Sequence, residues 1–383
     1  MSEIKVLFCG DFAPCRRFEP LVLSKKKQVL GDALPIIEDS DLSFVNLECP
    51  LTGSTKAINK SGPTLRADIK CVEALEPFSI IGLANNHILD YGAAGLADTL
   101  TSCHDLNLTT VGAGLDKAHT KEIAIKEVKG VRFAVIAIAE HEFNQSECNS
   151  AGAASIDLIE NYQQIQIAKS QADIVIVTLH GGNEFFCYPR PGLRRVCQHF
   201  VDLGVDAVIC HHPHVPGAYE FYRDKPIVYS LGNFIFDENN PPADWKFGYM
   251  VQLGFDANSK QRVNFELIPY EQSIELKGIK ILKGNERELL LSRLEEYRKN
   301  LESIERWLIE WESFVAKRRP SVLVKQFLPF SFPGAGFLFR NTPISKFFVN
   351  ERNGLAKLNL IRCESHLELL TSILKSEGAS RDD

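Results

Sequence analysis

At 383 residues, with 45% hydrophobic and 24% charged residues, the chain has the composition of a globular protein that can hold one large domain or two smaller ones. A net charge of -6 argues against nucleic acid as a partner and leaves small anions open. Ten scattered cysteines with no C-x-x-C pair exclude a disulfide scaffold. No apolar run reaches the length of a membrane span, and the N-terminus enters a strand pattern without a signal-peptide pattern, so the expected compartment is the cytoplasm.

In chain order, Ile4–Cys9 reads as a short apolar strand ending at Gly10-Asp11. Leu42–Asn46 and Ser79–Leu83 are two more, the second running into Asn85-Asn86-His87. Gly92–Cys103 reads as a helix and Leu108–Gly114 as a strand with its turn. Glu122–Val128 and Val131–Ala139 form a hairpin across Lys129-Gly130. Ile156–Ser170 is helical, and Asp173–Leu179 is the most apolar strand, stopping at His180. Helix Gly192–Leu203, strand Ala207–Cys210 and the run His211-His212-Pro213-His214 follow. Pro226–Leu231 is a strand ending at Gly232-Asn233, and Tyr249–Phe255 with Arg262–Pro269 makes a final hairpin.

Continuous apolar strands separated by helices predict an α/β fold whose sheet is covered on both faces, and the hairpins make it mixed or divide it in two. Composition changes near residue 285, which predicts a main domain over 1–284 and an extension over 285–383. The extension opens with one helix over Asn285–Phe314, carrying Leu289, Leu290, Leu294, Tyr297, Leu301, Ile304, Leu308 and Trp311 as an apolar stripe. That stripe packs on the main domain or on a second subunit, the latter giving a homodimer. Lys317–Pro320 is expected to break the helix, an aromatic and proline-rich tract spans Phe327–Phe339, and a last helix covers Ser365–Leu374.

Five of the ten histidines fall at the ends of these strands. Asp11 sits where an open α/β sheet presents ligands, and its carboxylate suits a divalent cation. Asn46 and Glu48 flank Leu47 and turn to one side of an extended segment; Glu48 could ligate a metal, bridge two, or act as a base. Asn86 offers a ligand oxygen, His87 a proton for a leaving group, and Asp90 a partner to orient His87. The glycines after His180 favour its use as a ligand. His212 and His214 point the same way if their segment is extended, with His211 on the opposite side as an auxiliary catalytic group. Glu184 and Asn233 are further contacts at the site. Arg66 and Arg190, ahead of Arg16, Arg17, Arg194 and Arg195, are the candidates for gripping an anionic substrate.

This ordered set over roughly residues 4–270 resembles the capsule synthesis family called CapA, also known for poly-gamma-glutamate biosynthesis. It comprises Gly10-Asp11, Asn46–Glu48, Gly82–His87 with Asp90 and Gly92, His180-Gly181 with Glu184, His211–His214, and Ser230–Phe234. The family looks like a branch of the calcineurin-like metallophosphoesterases, which implies a four-layer αββα sandwich. The resemblance implies one or two divalent ions (Mn, Zn, Fe or Mg) at Asp11, Glu48, Asn86, His180, His212 and His214, with His87 as a nearby acid. The set of imidazoles, carboxylates and an amide is itself that of a hydrolytic metal centre, expected to cleave a phosphoester, and the resemblance suggests an anionic small molecule or surface-polymer precursor as its substrate. Amide hydrolysis or formation on such a precursor, and a non-catalytic role in polymer binding or assembly, are the alternatives. The chain departs from the parent pattern in lacking a histidine two positions after Asp11, in having Glu48 for an aspartate, and in showing no N-terminal membrane anchor.

Overall fold

A computed structural model describes residues 3–327 apart from 61, 143, 147, 148 and 240, together with 337–338 and 342–343; over 318–327 it describes the backbone alone. Strand β1 (Glu3–Ala13) leads through helices α1 (Phe18–Lys25) and α2 (Leu34–Asp39) to β2 (Leu42–Leu47) and β3 (Ile80–Gly82). Helix α3 (Gly92–Asp105) precedes β4 (Thr109–Val111), and β5 (Ala113–Gly114) and α4 (Lys117–Thr120) follow. The hairpin β6 (Ala124–Val128) and β7 (Val131–Ala139) comes next, then β8 (Gly152–Ala153) and α5 (Leu158–Gln171). Strand β9 (Ile174–His180), α6 (Pro191–Asp202) and β10 (Ala207–His211) make a parallel crossover, followed by β11 (Tyr219–Tyr222) and β12 (Lys225–Val228). The strands end with β13 (Asn233–Phe236), β14 (Phe247–Asp256), β15 (Arg262–Ser273) and β16 (Gly278–Ile281); helices α7 (Gly284–Glu302) and α8 (Ile304–Phe327) close the description.

Two mixed sheets result. The first has the order β16-β15-β14-β1-β2-β3-β4, with β13 also paired to β1; the second runs β11-β12-β10-β9-β7-β6. Their apolar faces meet: Phe133 of β7 lies 5.6 Å from Phe255 of β14, and Tyr219 of β11 lies 5.3 Å from Phe265 of β15, ring centre to ring centre. Such ring pairs add about 0.5–1.5 kcal/mol each beyond the area they bury. Helix α3 covers β4 on the outside of the first sheet, and α5 and α6 cover β7, β9, β10 and β12 on the outside of the second. The expected four-layer αββα sandwich is therefore the fold. Burial on both faces explains why β1, β7 and β9 read as continuous apolar runs instead of alternating ones.

Three expectations need correction. The strand expected over Pro226–Leu231 stops at Val228, and the chain crosses at Tyr229–Gly232 into the first sheet, where Asn233 starts β13 beside Asp11. The single helix expected over Asn285–Phe314 is two, because Ser303 is extended (φ -106°, ψ 114°). Within α7, Leu290, Leu294 and Leu301 are buried as expected but Leu289 faces solvent; the break then resets the helical phase, so that Ile304 is exposed and Trp307 is buried instead. Lys317–Pro320 does not stop α8, whose backbone continues to Phe327. Most of the tract Phe327–Phe339, and all of the helix expected over Ser365–Leu374, lie outside the described residues. The eight cysteines among the described residues are free thiols.

The chain divides into two compact units, Met1–Trp307 and Leu308–Asp383. In the first, α7 lies on β11 and β15, one strand from each sheet, and Trp307 donates its indole N–H to Pro189 O at 2.9 Å. In the second, Trp311 stacks on Phe314 at 5.9 Å.

Candidate metal centre

The site is built where β1 and β2 of one sheet meet β9 and β10 of the other. Asp11 pairs in register with Asn46 on one side and Asn233 on the other. The pairing with β13 is bulged just after Asp11, and the Asp11 amide donates to Gly232 O at 3.2 Å. Gly10 allows that approach, since a Cβ there would lie 2.0 Å from the same oxygen. His180 and His211 end β9 and β10 and face each other in register.

Beyond His211 the backbone leaves the strand. His212 (φ 100°) and His214 (φ 60°) both take left-handed conformations, which cost a non-glycine residue about 1–3 kcal/mol each and persist at sites that the surroundings over-determine. This corrects the extended geometry expected from the sequence. A left-handed turn, not strand alternation, gathers the histidines. His211 is not turned away either: its Nδ1 lies 3.2 Å from Asp11 Oδ1, although off hydrogen-bond geometry, so both its buried ring nitrogens lack a hydrogen-bond partner.

Asp11 accepts from Asn46 Nδ2 at 2.8 Å and from the His212 amide at 3.1 Å. Around His180 Nε2 lie Asn86 Oδ1 at 3.0 Å, His212 Nδ1 at 3.1 Å and Glu48 Oε1 at 3.5 Å. His214 Nε2 lies 3.7 Å from the same Glu48 oxygen, while its Nδ1 is held 2.9 Å from Asn233 Oδ1. Glu48 is fully buried, and neither carboxylate oxygen has a hydrogen-bond partner.

The electrostatics follow from this crowding. Burial, then the charges of Asp11, Glu184 and Glu142, push the Glu48 carboxyl well above the usual range. Burial would raise Asp11 too, but His211, His180 and His214 together outweigh it and hold that carboxyl well below its ordinary value. Burial and the neighbouring His212 hold His180 well below 6.5, and burial brings His214 down to about 4 despite the pull of Asp11. Neutral imidazoles are the form that ligates metal.

An orphaned carboxylate among neutral imidazoles is the donor set a divalent cation completes. Two groups have ligand atoms all within 4.8 Å of one another: Asp11, Glu48 and His180, and Glu48, His212 and His214. Glu48 belongs to both. The residues present therefore fit one cation, or two sharing Glu48.

The profile of the bacterial capsule synthesis protein PGA_cap family matches residues 5–238, more than half of the chain. This chain belongs to that family. It is 32% identical over 274 residues to the PGA biosynthesis protein CapA of Bacillus subtilis, covering 69% of this chain and 70% of that one. It is 32% identical over 215 residues to the capsule biosynthesis protein CapA of Bacillus anthracis, covering 53% of this chain and 52% of that one, so the match spans about half of that relative's length. Among solved structures, it is similar to a phosphatase from Mycoplasma pneumoniae (14% identity, TM-score 0.46, covering 70% of this chain and 94% of that one). It is also similar to the calcineurin-like phosphoesterase YfkN from Bacillus subtilis (13% identity, TM-score 0.45, covering 77% and 98%).

In this PGA_cap chain the Asn85–Asp90 turn lies against the cluster. Asn85 locks the turn by donating to Leu47 O at 2.7 Å and accepting from the His87 amide at 3.1 Å. His87 Nδ1 is 2.6 Å from Asp90 Oδ2, the orienting contact anticipated for it. Burial lowers His87, with Lys60 and His212 adding to the effect against the opposing pull of Asp90. Asn233 spends its amide on protein, donating to His214 O and Trp245 O, both at 3.2 Å.

The arginines are elsewhere. Arg190 pairs with Glu140 at 2.7 Å; Arg66 donates to Thr52 O at 3.2 Å and lies over Tyr91. Arg16, Arg17 and Arg194 pair with Glu238, Asp237 and Glu220. Among the described residues no arginine bonds to the cluster. Glu184 is exposed, and its charge reaches Glu48 and His214. Sequence reading missed Lys60, which pairs with Asp90, and Asn144, which donates to Asn85 O at 2.5 Å. Both sit in irregular segments where no periodicity marks a residue as buried.

No helix among the described residues is long and apolar enough to cross a membrane.

Proposed function

We propose that this PGA_cap protein is a metal-dependent phosphoester hydrolase acting on an anionic precursor or product of capsule or poly-gamma-glutamate metabolism. The observation that carries this reading is Glu48, a fully buried carboxylate with two unpartnered oxygens, shared by two ligand triads. An uncompensated charge of that kind is costly to bury, and a divalent cation compensates it. Asp11, Glu48, His180, His212 and His214, with Asn86 beside His180, would hold one or two ions. A bound divalent cation supplies Lewis acidity toward a phosphoryl oxygen and lowers the pKa of water.

The chain's own groups do the rest. Asp90 orients the His87 ring, and a neutral His87 gains its proton as an anionic substrate approaches, ready to pass it to the leaving oxygen. Asn86 offers an amide to the charge that develops on phosphorus oxygens. With Arg16, Arg17, Arg190 and Arg194 paired elsewhere, neutralising the substrate's charge would rest on the cation that Asp11, Glu48, His180, His212 and His214 would hold.

The test is elemental analysis of protein purified without chelator, with a panel of phosphomonoesters, phosphodiesters and acyl amides. We expect one to two divalent ions per chain, phosphoester turnover abolished by EDTA, and joint loss of metal and turnover in His212→Ala. Metal-free protein that binds polyglutamate tightly and turns over nothing overturns the reading. Amide turnover without phosphoester turnover replaces its chemistry but keeps its metal.

A further inference from the structure

We infer that Lys60 is a positioning residue of this site, holding the Asn86–Asp90 turn in the geometry that sets Asn86 and His87 against the ligand cluster. The inference rests on the metal-hydrolase reading for its catalytic meaning, and on contacts of its own for its structural one. Lys60 lies outside both sheets, yet its side chain is only 3% exposed. Its Nζ is 2.5 Å from Asp90 Oδ1, 3.1 Å from Asn86 O and 3.4 Å from His87 Nδ1. An ammonium has three donors and no acceptor; Asp90 Oδ1 and Asn86 O take two of them, while His87 Nδ1, which donates to Asp90 Oδ2, is a close neighbour and not an acceptor.

Asp90 is held from several sides. Its Oδ2 takes the Leu65 amide at 2.7 Å as well as His87 Nδ1 at 2.6 Å, and its carbonyl takes the Ile58 amide at 2.9 Å. The segment carrying Lys60 is thus laced to the turn at both of its ends. The cross-tie matters because of what the turn presents. The Asn86 carbonyl that Lys60 grips belongs to the residue whose side-chain oxygen lies 3.0 Å from His180 Nε2. Fixing that peptide plane fixes the backbone from which the Asn86 side chain projects. The His87–Asp90 pair orients an imidazole without a lysine, so the carbonyl contact is what Lys60 adds.

A buried ion pair that only supports the fold would change stability and leave turnover alone. A positioning residue changes turnover at constant metal and constant substrate affinity, since small displacements of reacting groups cost about 100-fold in rate. The experiment compares Lys60→Met, Lys60→Arg and the charge-balanced pair Lys60→Met with Asp90→Asn in the full chain. The pair guards against unfolding caused by an unpaired Asp90. The measurements are metal content, kcat and KM on the best phosphoester of the panel, and hydrogen exchange of the peptide spanning 84–92.

We expect Lys60→Met to keep its metal, because the two groups Asp11, Glu48, His180 and Glu48, His212, His214 lie outside the turn, to hold KM within about twofold and to lose about 100-fold in kcat, with Lys60→Arg recovering at least about tenfold of that loss. Exchange over 84–92 should rise in Lys60→Met and in the paired variant, while β9 and β10 stay protected. Unchanged kcat, or metal lost in parallel, overturns the inference. Should the wild-type chain turn over no substrate, the hydrolase reading fails by itself; exchange over 84–92 then decides, and an unaltered rate there removes Lys60 from its assigned role.

Discussion

Glu48 has the most unusual surroundings of any residue in the site, and its behaviour is open to direct measurement. Glu48→Gln should bind metal about 100-fold more weakly, the upper end of what even the loss of a group behind a ligand costs, and should raise the melting temperature of the metal-free protein at alkaline pH. Calorimetric metal titration and thermal melts check both. The pH dependence has a definite sign. With its carboxyl raised, Glu48 contributes stability below the ordinary carboxylate range that is lost as pH rises through the raised value. His180 and His214 are depressed, so the unfolded chain takes up their protons first, and their cost appears only as pH falls below 6.5. Above that, Glu48 dominates, and a cation cancels its penalty. EDTA should therefore lower the melting temperature more at about pH 8.5 than at about pH 6.5; an equal or smaller drop contradicts the assignment. Asp11, Glu48 and His180 were legible in the sequence because each closes an apolar run. The engagement of Arg190 by Glu140 was not, since the two are 50 positions apart and nothing local links them.

Among the elements, the turn after β10 is where local and global preferences conflict. Strand propensity carries the chain to His211, and two left-handed histidines then abandon it. Sequence reading placed candidate ligands there but not the conformation, because histidine, though enriched among non-glycine residues at positive φ, signals it far more weakly than glycine does. The short helices α1 and α2, eight and six residues long, were invisible for a simpler reason: two turns are too few for a period to emerge. The close pass of Gly10 against Gly232 is a second element-level constraint. Gly10→Ala forces a methyl into a carbonyl oxygen and should cost about 3 kcal/mol in urea unfolding, with weaker metal binding because Asp11 is displaced. Unchanged metal affinity in a destabilised Gly10→Ala protein would show that the bulge at Asp11 tolerates repacking.

At the scale of the molecule, the two sheets and their covering helices were readable from apolar runs and their spacing, but the crossing at Tyr229–Gly232 was not. A strand that changes sheets has the same local composition as one that stays. Within Met1–Trp307, α7 touches a strand of each sheet, so Leu294→Ala, at a fully buried position, should cost about 3 kcal/mol while leaving metal affinity within twofold. Denaturant titration in the presence and absence of metal separates the two effects. The order of the strands has a consequence of its own. The first sheet opens with β1 to β4 and is finished only by β13 to β16, with the whole second sheet interposed. Asp11 and Glu48 therefore emerge from the ribosome long before His212 and His214, and Asn233, which holds the His214 ring, arrives later still. The Asp11, Glu48, His180 group is therefore complete in sequence before the Glu48, His212, His214 group, which shares Glu48 with it and needs the chain as far as β10 and the turn beyond.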